Sequence, residues 1–266
     1  MRRITILLLA LALAACTSEE ASKPSDTGAA AETAEAGPSA AELAVANEAR
    51  PAADRERDAG RKPAEVLEFL GIEPGMTVLD MFSGGGYYTE ILSHVVGTDG
   101  RVIAHSNEAY LQYVGDEFEQ RYLDGRLANA MVLMAENNEL TLDENSIDAV
   151  MLALSFHDLY YAAPEQGWPE IDISRFLAEL RKGLKPGGFV AIIDHYAAKG
   201  APSETGGTTH RIDPAIVIRD MSAAGFELDG QSDILRNPDD DYAKVVFDEA
   251  VRGKTDRFVM RFRNPD

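Results

Sequence analysis

Cysteine is almost absent from this chain of 266 residues, in which Cys16 is the only one. A single cysteine cannot form an internal disulfide, so covalent cross-links cannot hold the fold together. The shortage also excludes the cysteine clusters that bind structural zinc. Cys16 therefore needs another explanation, and its position close to the N-terminus supplies one.

Basic residues are scarce as well. The chain has 25 Lys and Arg against 45 Asp and Glu, which gives a formal net charge of −20 at pH 7. Nucleic acids and anionic lipid surfaces are bound through basic faces. We therefore expect no nucleic-acid partner, and we interpret the acidic balance as a property that keeps the protein soluble.

The N-terminus has the pattern of a secretory signal. Two arginines follow Met1, and the apolar run 4–14 is shorter than the roughly 20 residues that span a bilayer. The letters LAAC, which end at Cys16, resemble the lipobox of bacterial lipoproteins, where cleavage precedes a cysteine that then carries lipid. We predict a lipoprotein signal peptide over residues 1–15 and a lipid on Cys16. The alternative is an ordinary signal peptide with an incidental cysteine.

The lipobox resemblance also implies a location. Thr17 stands where an aspartate would be the inner-membrane retention signal, so we expect an exported protein anchored at the periplasmic face of the outer membrane through the lipid on Cys16. Residues 17–50 contain no aromatic residue and cannot bury enough apolar surface to offset their ordering entropy. We predict that residues 16–50 are a disordered tether and that residues 51–266 are one domain.

Apolar strands and helical patterns alternate along residues 51–266. Three of the strands are nearly continuous apolar runs, as expected when helices cover both faces of a parallel sheet. Seven strands alternating with helices indicate an α/β fold with a doubly wound, Rossmann-like sheet. The predicted strands are 77–81, 101–105, 131–134, 147–154, 189–194, 228–235 and 258–263, and the main predicted helices are 63–70, 87–96, 108–123, 173–184 and 214–225.

A glycine turn follows the first strand, in the stretch VLDMFSGGGYYTEIL. A dinucleotide-binding fingerprint would need a third glycine at Thr89, and a phosphate-binding P-loop would need a lysine that is not there. Instead, the spacing of Asp80, Gly84 and Gly86 resembles motif I of the class I methyltransferases, which bind S-adenosylmethionine. A tight turn that binds no ligand is the remaining alternative.

Other stretches resemble the same family over about residues 60–266. Residues 146–148 are similar to the opening of its fourth strand, and residues 180–188 are similar to its Leu-x-x-Leu-Lys-Pro-Gly-Gly turn. Residues 194–195 and 209–213 resemble a group of bacterial predicted methyltransferases. The resemblance implies the seven-stranded methyltransferase fold and S-adenosylmethionine as the donor. The implied donor-binding residues are Asp80, Ser83, Gly84, Gly86, Asn107, Glu136 and Asn137.

Two positions depart from the family pattern. Phe82 stands where motif I has its first glycine. The second strand also lacks the usual terminal acid that holds both ribose hydroxyls. In its place the chain offers Asn107, which can accept one hydroxyl hydrogen, followed by Glu108.

The candidates for catalysis follow strands four and five. Methyl transfer requires that nucleophile and methyl carbon are held in line, with a base when the nucleophile carries a proton. His157 is the first candidate because the unperturbed pKa of histidine is near neutrality, and Asp158 adjoins it; a histidine that packs or caps a helix is the alternative. His195 follows the fifth strand, and we expect its neighbour Asp194 to point to the opposite side.

Three further residues are candidates for substrate binding. Tyr160 lies in the segment after the fourth strand, and His210 and Arg211 follow the glycine-containing stretch 200–209, which has the composition of a movable lid. Arg211 would bind a carboxylate or phosphate of the substrate. The alternative for Arg211 is an ion pair with one of the many acids of the domain.

Other chemistries lack their motifs. We assign no metal site, because no His-x-x-x-His or cysteine cluster exists, and Ser155 lacks the Gly-x-Ser-x-Gly elbow of hydrolases. The resemblance implies a methyltransferase that acts on a small molecule or a component of the cell envelope. The alternative is a non-catalytic binding lipoprotein that has lost the donor, because the ribose acid is missing and export separates the protein from a donor made in the cytosol.

Overall fold

The structure, a computed structural model, describes residues 37–122 and 125–265. The predicted signal peptide, Cys16 and residues 17–36 of the predicted tether lie outside the described residues. A compact unit spans Pro38–Asp266. Among the described residues, none of the helices combines the length and the apolar character needed to cross a membrane.

Three helices precede the sheet: α1 (Ala40–Val45), α2 (Ala52–Arg61) and α3 (Pro63–Leu70). Helix α1 begins with a capping box at Ser39, and it buries Ala41 and Ala44. The compact unit thus includes residues 38–50, which the sequence analysis placed in the tether. The small alanine side chains let α1 pack closely against the domain. An alanine-rich sequence is also typical of a flexible linker, so composition did not distinguish the two.

Seven strands form one sheet in the order β3-β2-β1-β4-β5-β7-β6. Strands β1 to β5 are parallel, and β7 runs antiparallel between β5 and β6. The predicted seven-stranded α/β sheet is therefore confirmed. The strands are β1 (Thr77–Met81), β2 (Arg101–Ser106), β3 (Ala130–Met134), β4 (Ile147–Ala153), β5 (Leu184–His195), β6 (Glu227–Ser232) and β7 (Arg257–Arg263).

The remaining helices connect the strands. One predicted helix, 108–123, is divided at Gly115, whose backbone has φ 58°, a conformation that glycine adopts at little cost. The helices are α4 (Tyr87–Val96), α5 (Glu108–Val114), α6 (Asp116–Tyr122), α7 (Ile173–Gly183), α8 (Thr205–Thr209) and α9 (Pro214–Ala223).

Both faces of the sheet are buried. Val78 belongs to the apolar cluster that β1 shares with α3 and α4, and its neighbour Leu79 belongs to the cluster on the opposite face, with α7 and α9. Successive side chains of a strand point to opposite faces, which explains the continuous apolar runs. The strand order reverses between β1 and β4, and in open sheets ligands bind at the carboxyl ends of strands beside such a reversal.

Candidate functional site

A cavity of about 510 Å³ opens at the carboxyl ends of β1, β4 and β5. Asp80 and the glycine turn form one part of its wall. Four side chains from segments far apart in the sequence form another part: His157, Asp158, His195 and His210. The topology thus brings together the donor-binding candidates of the first strand and the catalytic candidates of the fourth and fifth.

Asp80 ends β1 and is only 2% exposed. Its Oδ2 accepts a hydrogen bond of 2.6 Å from the hydroxyl of Thr89, which projects from α4. Burial raises the pKa of Asp80 to about 7, against a smaller lowering by the Thr89 hydroxyl. The carboxyl group therefore changes its charge close to neutral pH, and a cationic ligand would favour the charged form.

The glycine turn places its backbone at the cavity wall. Gly84 and Gly86 have φ 56° and 79°, which favour glycine strongly, and both Gly84 and Gly85 line the cavity. A Cβ on Gly85 would lie 2.2 Å from Oε2 of Glu117. The turn then leads into α4, so the backbone amides of the first helical turn lie beside the cavity.

Phe82 adopts a left-handed conformation, with φ 53°, at the position where motif I has a glycine. Its ring packs 5.1 Å from the ring of Tyr110 and 5.5 Å from that of His105, measured between centroids. The amide of the next residue, Ser83, donates to the carbonyl of His105 at 2.9 Å. Aromatic packing therefore keeps the turn in a backbone conformation that costs a bulky residue energy.

His157 is the centre of a buried polar cluster. Its Nδ1 lies 2.7 Å from Oδ1 of Asp194, and its Nε2 lies 3.2 Å from Oδ1 of Asp158 and 3.2 Å from Nδ1 of His210. Burial alone would lower the pKa of His157, but the carboxylates of Asp158 and Asp194 outweigh it and raise that pKa well above its ordinary value.

His195 lines the same cavity in a different electrostatic setting. Its Nδ1 lies 2.8 Å from the hydroxyl of Thr255, and its ring centroid is 6.1 Å from that of His157. Burial, and then the positive charges of His157 and Arg257, hold the pKa of His195 well below its ordinary value. The imidazole of His195 is therefore neutral at pH 7.

Sequence comparison places part of this chain among methyltransferases. The protein-L-isoaspartate(D-aspartate) O-methyltransferase family matches residues 57–117. The ubiquinone/menaquinone biosynthesis C-methyltransferase UbiE of Idiomarina loihiensis is 30% identical over 130 residues, which are 48% of this chain and 46% of that enzyme. UbiE of Shewanella oneidensis is 27% identical over a stretch of the same length. The matched region thus spans about half the length of these curated relatives.

Solved structures match more of the chain. A SAM-dependent methyltransferase from Aquifex aeolicus is 26% identical, with a TM-score of 0.54 that covers 78% of this chain and 97% of that one. The geranyl diphosphate C-methyltransferase of Streptomyces coelicolor shares the fold at 14% identity, with a TM-score of 0.56 and coverage of 85% and 90%. In sequence and in fold the chain is therefore similar to S-adenosylmethionine-dependent methyltransferases.

Four donor-binding candidates do not line the cavity: Gly86, which is the N-cap of α4, and Asn107, Glu136 and Asn137. The side chain of Asn107 is buried and caps α5 by accepting from the amide of Tyr110 at 2.8 Å. Glu136 accepts a long hydrogen bond of 3.3 Å from the amide of Glu108. Asn137 is buried, and its Oδ1 has no hydrogen-bond partner. Because Asn107 caps α5, its role is structural, and its position in the sequence alone did not indicate this.

Two substrate-binding candidates also lie outside the cavity lining. Arg211 is fully buried and pairs with Asp240 through two hydrogen bonds of 2.9 and 3.0 Å. The hydroxyl of Tyr160 donates to Asp220 of α9. Arg211 therefore follows the ion-pair alternative, and of the three candidates only His210 reaches the cavity.

The sequence analysis missed a basic residue of the cavity wall. Arg61, at the end of α2, lies with its guanidinium carbon 4.4 Å from the ring centroid of Tyr87 and lines the cavity. Burial lowers the pKa of Arg61, and among the described residues no carboxylate pairs with it. The four-residue spacing of Arg57 and Arg61 on one helix was the available signal, since both line the cavity.

Proposed function

We propose that this protein is an S-adenosylmethionine-dependent methyltransferase that acts on a small molecule or a component of the cell envelope. One observation carries the proposal: Asp80 and the glycine turn face the same cavity as His157, which follows β4, and His195, which ends β5. Donor-binding groups and proton-accepting groups then lie within reach of one bound ligand pair, as an in-line displacement requires.

The residues around the cavity fit the donor. Asp80 would accept from its amino group, and the backbone of Gly84 and Gly85 permits close approach. Arg61, which has no carboxylate partner among the described residues, would pair with the donor carboxylate. When bound, the donor supplies an electrophilic methyl group on a sulfonium.

Buried polar atoms without partners provide a second argument for the donor. Within the described residues, Oγ of Ser106, Oδ1 of Asn137 and Oγ of Ser155 are buried and make no hydrogen bond. Ser106 ends β2, Asn137 follows β3 and Ser155 follows β4, so all three lie at the carboxyl edge of the parallel strands, behind the residues that line the cavity. Buried polar groups in native proteins normally have partners, and Nε1 of Trp168, which does line the cavity, is a further buried group without one, so a polar ligand such as an adenosine suits this edge of the sheet.

We assign the role of base to His195 rather than to His157. Both ring nitrogens of His157 are already engaged, Nδ1 by Asp194 and Nε2 by Asp158 and His210, so neither is free to take the proton of a nucleophile. His195 is neutral, lines the cavity and is fixed by its hydrogen bond to Thr255. His195 would accept the proton of the nucleophile as the methyl group is transferred.

Calorimetric titration of the full chain with S-adenosylmethionine and its demethylated product tests the proposal. We expect binding of both, and at least a tenfold loss of affinity in Asp80→Asn. Asp99→Asn removes an exposed acid from a turn and is the matched control, with unchanged affinity. If the full chain is folded and binds neither ligand, the proposed methyltransferase activity is wrong. The comparisons give no support to the non-catalytic alternative.

We also propose that the methyltransferase is exported and anchored to the outer membrane at its periplasmic face through a lipid on Cys16. The support is the basic start, the short apolar run 4–14 and the LAAC sequence. Incorporation of labelled fatty acid into the wild type, with none in Cys16→Ser, tests this. Release of an unlabelled wild-type protein into the soluble fraction would contradict it.

A further inference from the structure

The side chains of His157, Asp158 and His210 present three potential ligand atoms to one point at the cavity wall. Nε2 of His157 lies 3.2 Å from Oδ1 of Asp158 and 3.2 Å from Nδ1 of His210, and the last two atoms are 3.7 Å apart. We propose that these three residues bind a divalent metal ion of the zinc class. This inference goes beyond the proposed methyl transfer and does not rest on it.

The separations of the three atoms suit a tetrahedral ion. Zinc is bound by histidine nitrogen at about 2.0–2.1 Å and by carboxylate oxygen at about 2.0–2.2 Å, so neighbouring ligand atoms in a tetrahedron lie about 3.3–3.4 Å apart. The three distances in this cluster have that size. Two imidazoles with one carboxylate also form a donor set used by catalytic zinc, whereas magnesium and calcium prefer oxygen ligands alone.

Groups behind the ligands are arranged as they are at metal centres. The carboxylate of Asp194 holds Nδ1 of His157 at 2.7 Å and so leaves Nε2 to face Asp158 and His210. The hydroxyl of Tyr110 donates to Oδ2 of Asp158, which leaves Oδ1 for the ion. Histidine ligands of metals commonly donate their other ring nitrogen to a carboxylate in this way.

Charge in the cluster is difficult to balance with protons alone. Asp158 and Asp194 are 8% and 0% exposed, and none of the ion pairs found among the described residues joins either one to a lysine or arginine. Protonation of both His157 and His210 would neutralise the two carboxylates. The N–H group at Nε2 of His157 would then face the N–H group at Nδ1 of His210 across 3.2 Å, and two donors repel each other. A divalent cation neutralises both carboxylates and accepts both nitrogen lone pairs.

The position of His210 is fixed by packing. Helix α8, which precedes it, lies so close to the backbone of His157 that a Cβ on Gly206 would be 2.3 Å from the carbonyl oxygen. The ring of Phe247 packs 4.8 Å from the ring of His210 on the cavity side. All three proposed ligands line the cavity, so a fourth position on the ion would be open to a water molecule or an acceptor atom.

Titration with Co²⁺, a spectroscopic substitute for zinc, tests the site. The full chain, purified after treatment with a chelator, should bind one Co²⁺ with visible absorption bands, and Zn²⁺ should abolish them by competition. We expect at least about a 100-fold loss of Co²⁺ affinity in His210→Ala and in Asp158→Asn, because loss of a ligand should cost no less than loss of an outer-shell partner, which costs about 10–100-fold. His94→Ala is the control, since His94 lies on α4 away from the cavity.

The outcomes separate the metal site from the hydrogen-bonded cluster. A folded wild-type chain that binds no Co²⁺ or Zn²⁺ would overturn the proposal, and so would equal affinity in His210→Ala and the wild type. Circular dichroism and thermal unfolding of each variant show whether it folds. The metal titration contains no S-adenosylmethionine, so its result is distinct from a failure of donor binding.

Discussion

The side chain of His157 meets Asp194 at 2.7 Å, although His157 follows β4, Asp194 lies at the end of β5 and the two are 37 positions apart. The same carboxylate accepts the backbone amides of His157 at 2.9 Å and of His195 at 2.7 Å. Asp194 therefore fixes the segment that follows β4 relative to the end of β5. It acts as a positioning residue, because it orients both histidines without lining the cavity itself.

Asp194→Asn should lower the free energy of unfolding by about 1–3 kcal/mol. The side chain of asparagine has nearly the same shape as that of aspartate. Its NH₂ group, however, would face one of the N–H groups of His157 or His195, and that buried N–H group would lose its hydrogen-bond acceptor. Urea denaturation at pH 7 measures the change. Asp233→Asn changes a surface acid and should stay within about 0.5 kcal/mol of wild type. Equal stability of Asp194→Asn and wild type would contradict the positioning role.

The stability contributed by Asp80 should depend on pH in a specific direction. Its pKa is about 7 in the folded protein and about 3.9 in an unfolded chain, so only the unfolded state ionises between these values. The contribution is present below about pH 4 and is lost as pH rises to about 7, by an amount on the order of 4 kcal/mol.

Asp80→Asn removes this titration, so the variant should gain stability relative to the wild type between pH 4 and pH 7. Unfolding free energies of both proteins, measured across that range, give the difference directly. Histidines such as His105, whose pKa burial lowers to about 4, titrate in both proteins and cancel. A difference that is flat with pH, or that falls, would show that Asp80 is ionised in the folded protein.

Phe82→Gly should strengthen donor binding and weaken the fold. Glycine adopts φ 53° without strain, but the loss of the buried ring costs more, so the net destabilisation should be about 2–4 kcal/mol. The space opened beside the glycine turn should lower the Kd for S-adenosylmethionine. Phe176→Ala is the control, because its ring packs against Phe82 but does not line the cavity. An unchanged Kd in Phe82→Gly would show that the ring does not restrict the donor.

Most elements of the fold were predictable because their signals are local. The apolar runs of β1 and β4 and the helical spacing in α7 give the elements directly. The start of the domain was not predictable, because α1 owes its place to contacts of small alanines with α4. Composition describes what a segment can bury alone, and residues 38–50 bury little without the rest of the domain.

The site was predictable only in part, for a similar reason. Asp80, His157, Asp158 and His195 were predictable because they lie at or just after the ends of strands. The carboxyl ends of parallel strands lie at one edge of the sheet, so these residues come together there. The partners of each side chain depend on packing between distant segments. Nothing near Arg211 in the sequence indicates Asp240, and the metal-binding candidates come from two segments about 50 residues apart, so no short motif describes them.

Arg211→Met should lower the free energy of unfolding of the whole protein, and not only weaken the binding of a substrate. The guanidinium is fully buried and pairs with Asp240, so its removal leaves a buried carboxylate without a counter-charge, at a cost of about 3–5 kcal/mol. Arg211→Met combined with Asp240→Leu should recover part of this loss. Urea denaturation of the three proteins measures both effects. A stable Arg211→Met that binds the donor but not an acceptor would restore the substrate-binding hypothesis.

Gly206→Ala should weaken metal binding without changing any proposed ligand. The added Cβ would lie 2.3 Å from the carbonyl oxygen of His157, a backbone atom, so α8 must move away and carry His210 with it. Displacement of one ligand should reduce the affinity for Co²⁺ about tenfold, the lower limit for disturbed outer-shell contacts. Thr208→Ala alters an exposed side chain of the same helix and should bind Co²⁺ like the wild type. Wild-type affinity in a folded Gly206→Ala would show that the packing of α8 against His157 does not hold His210 in place for the metal.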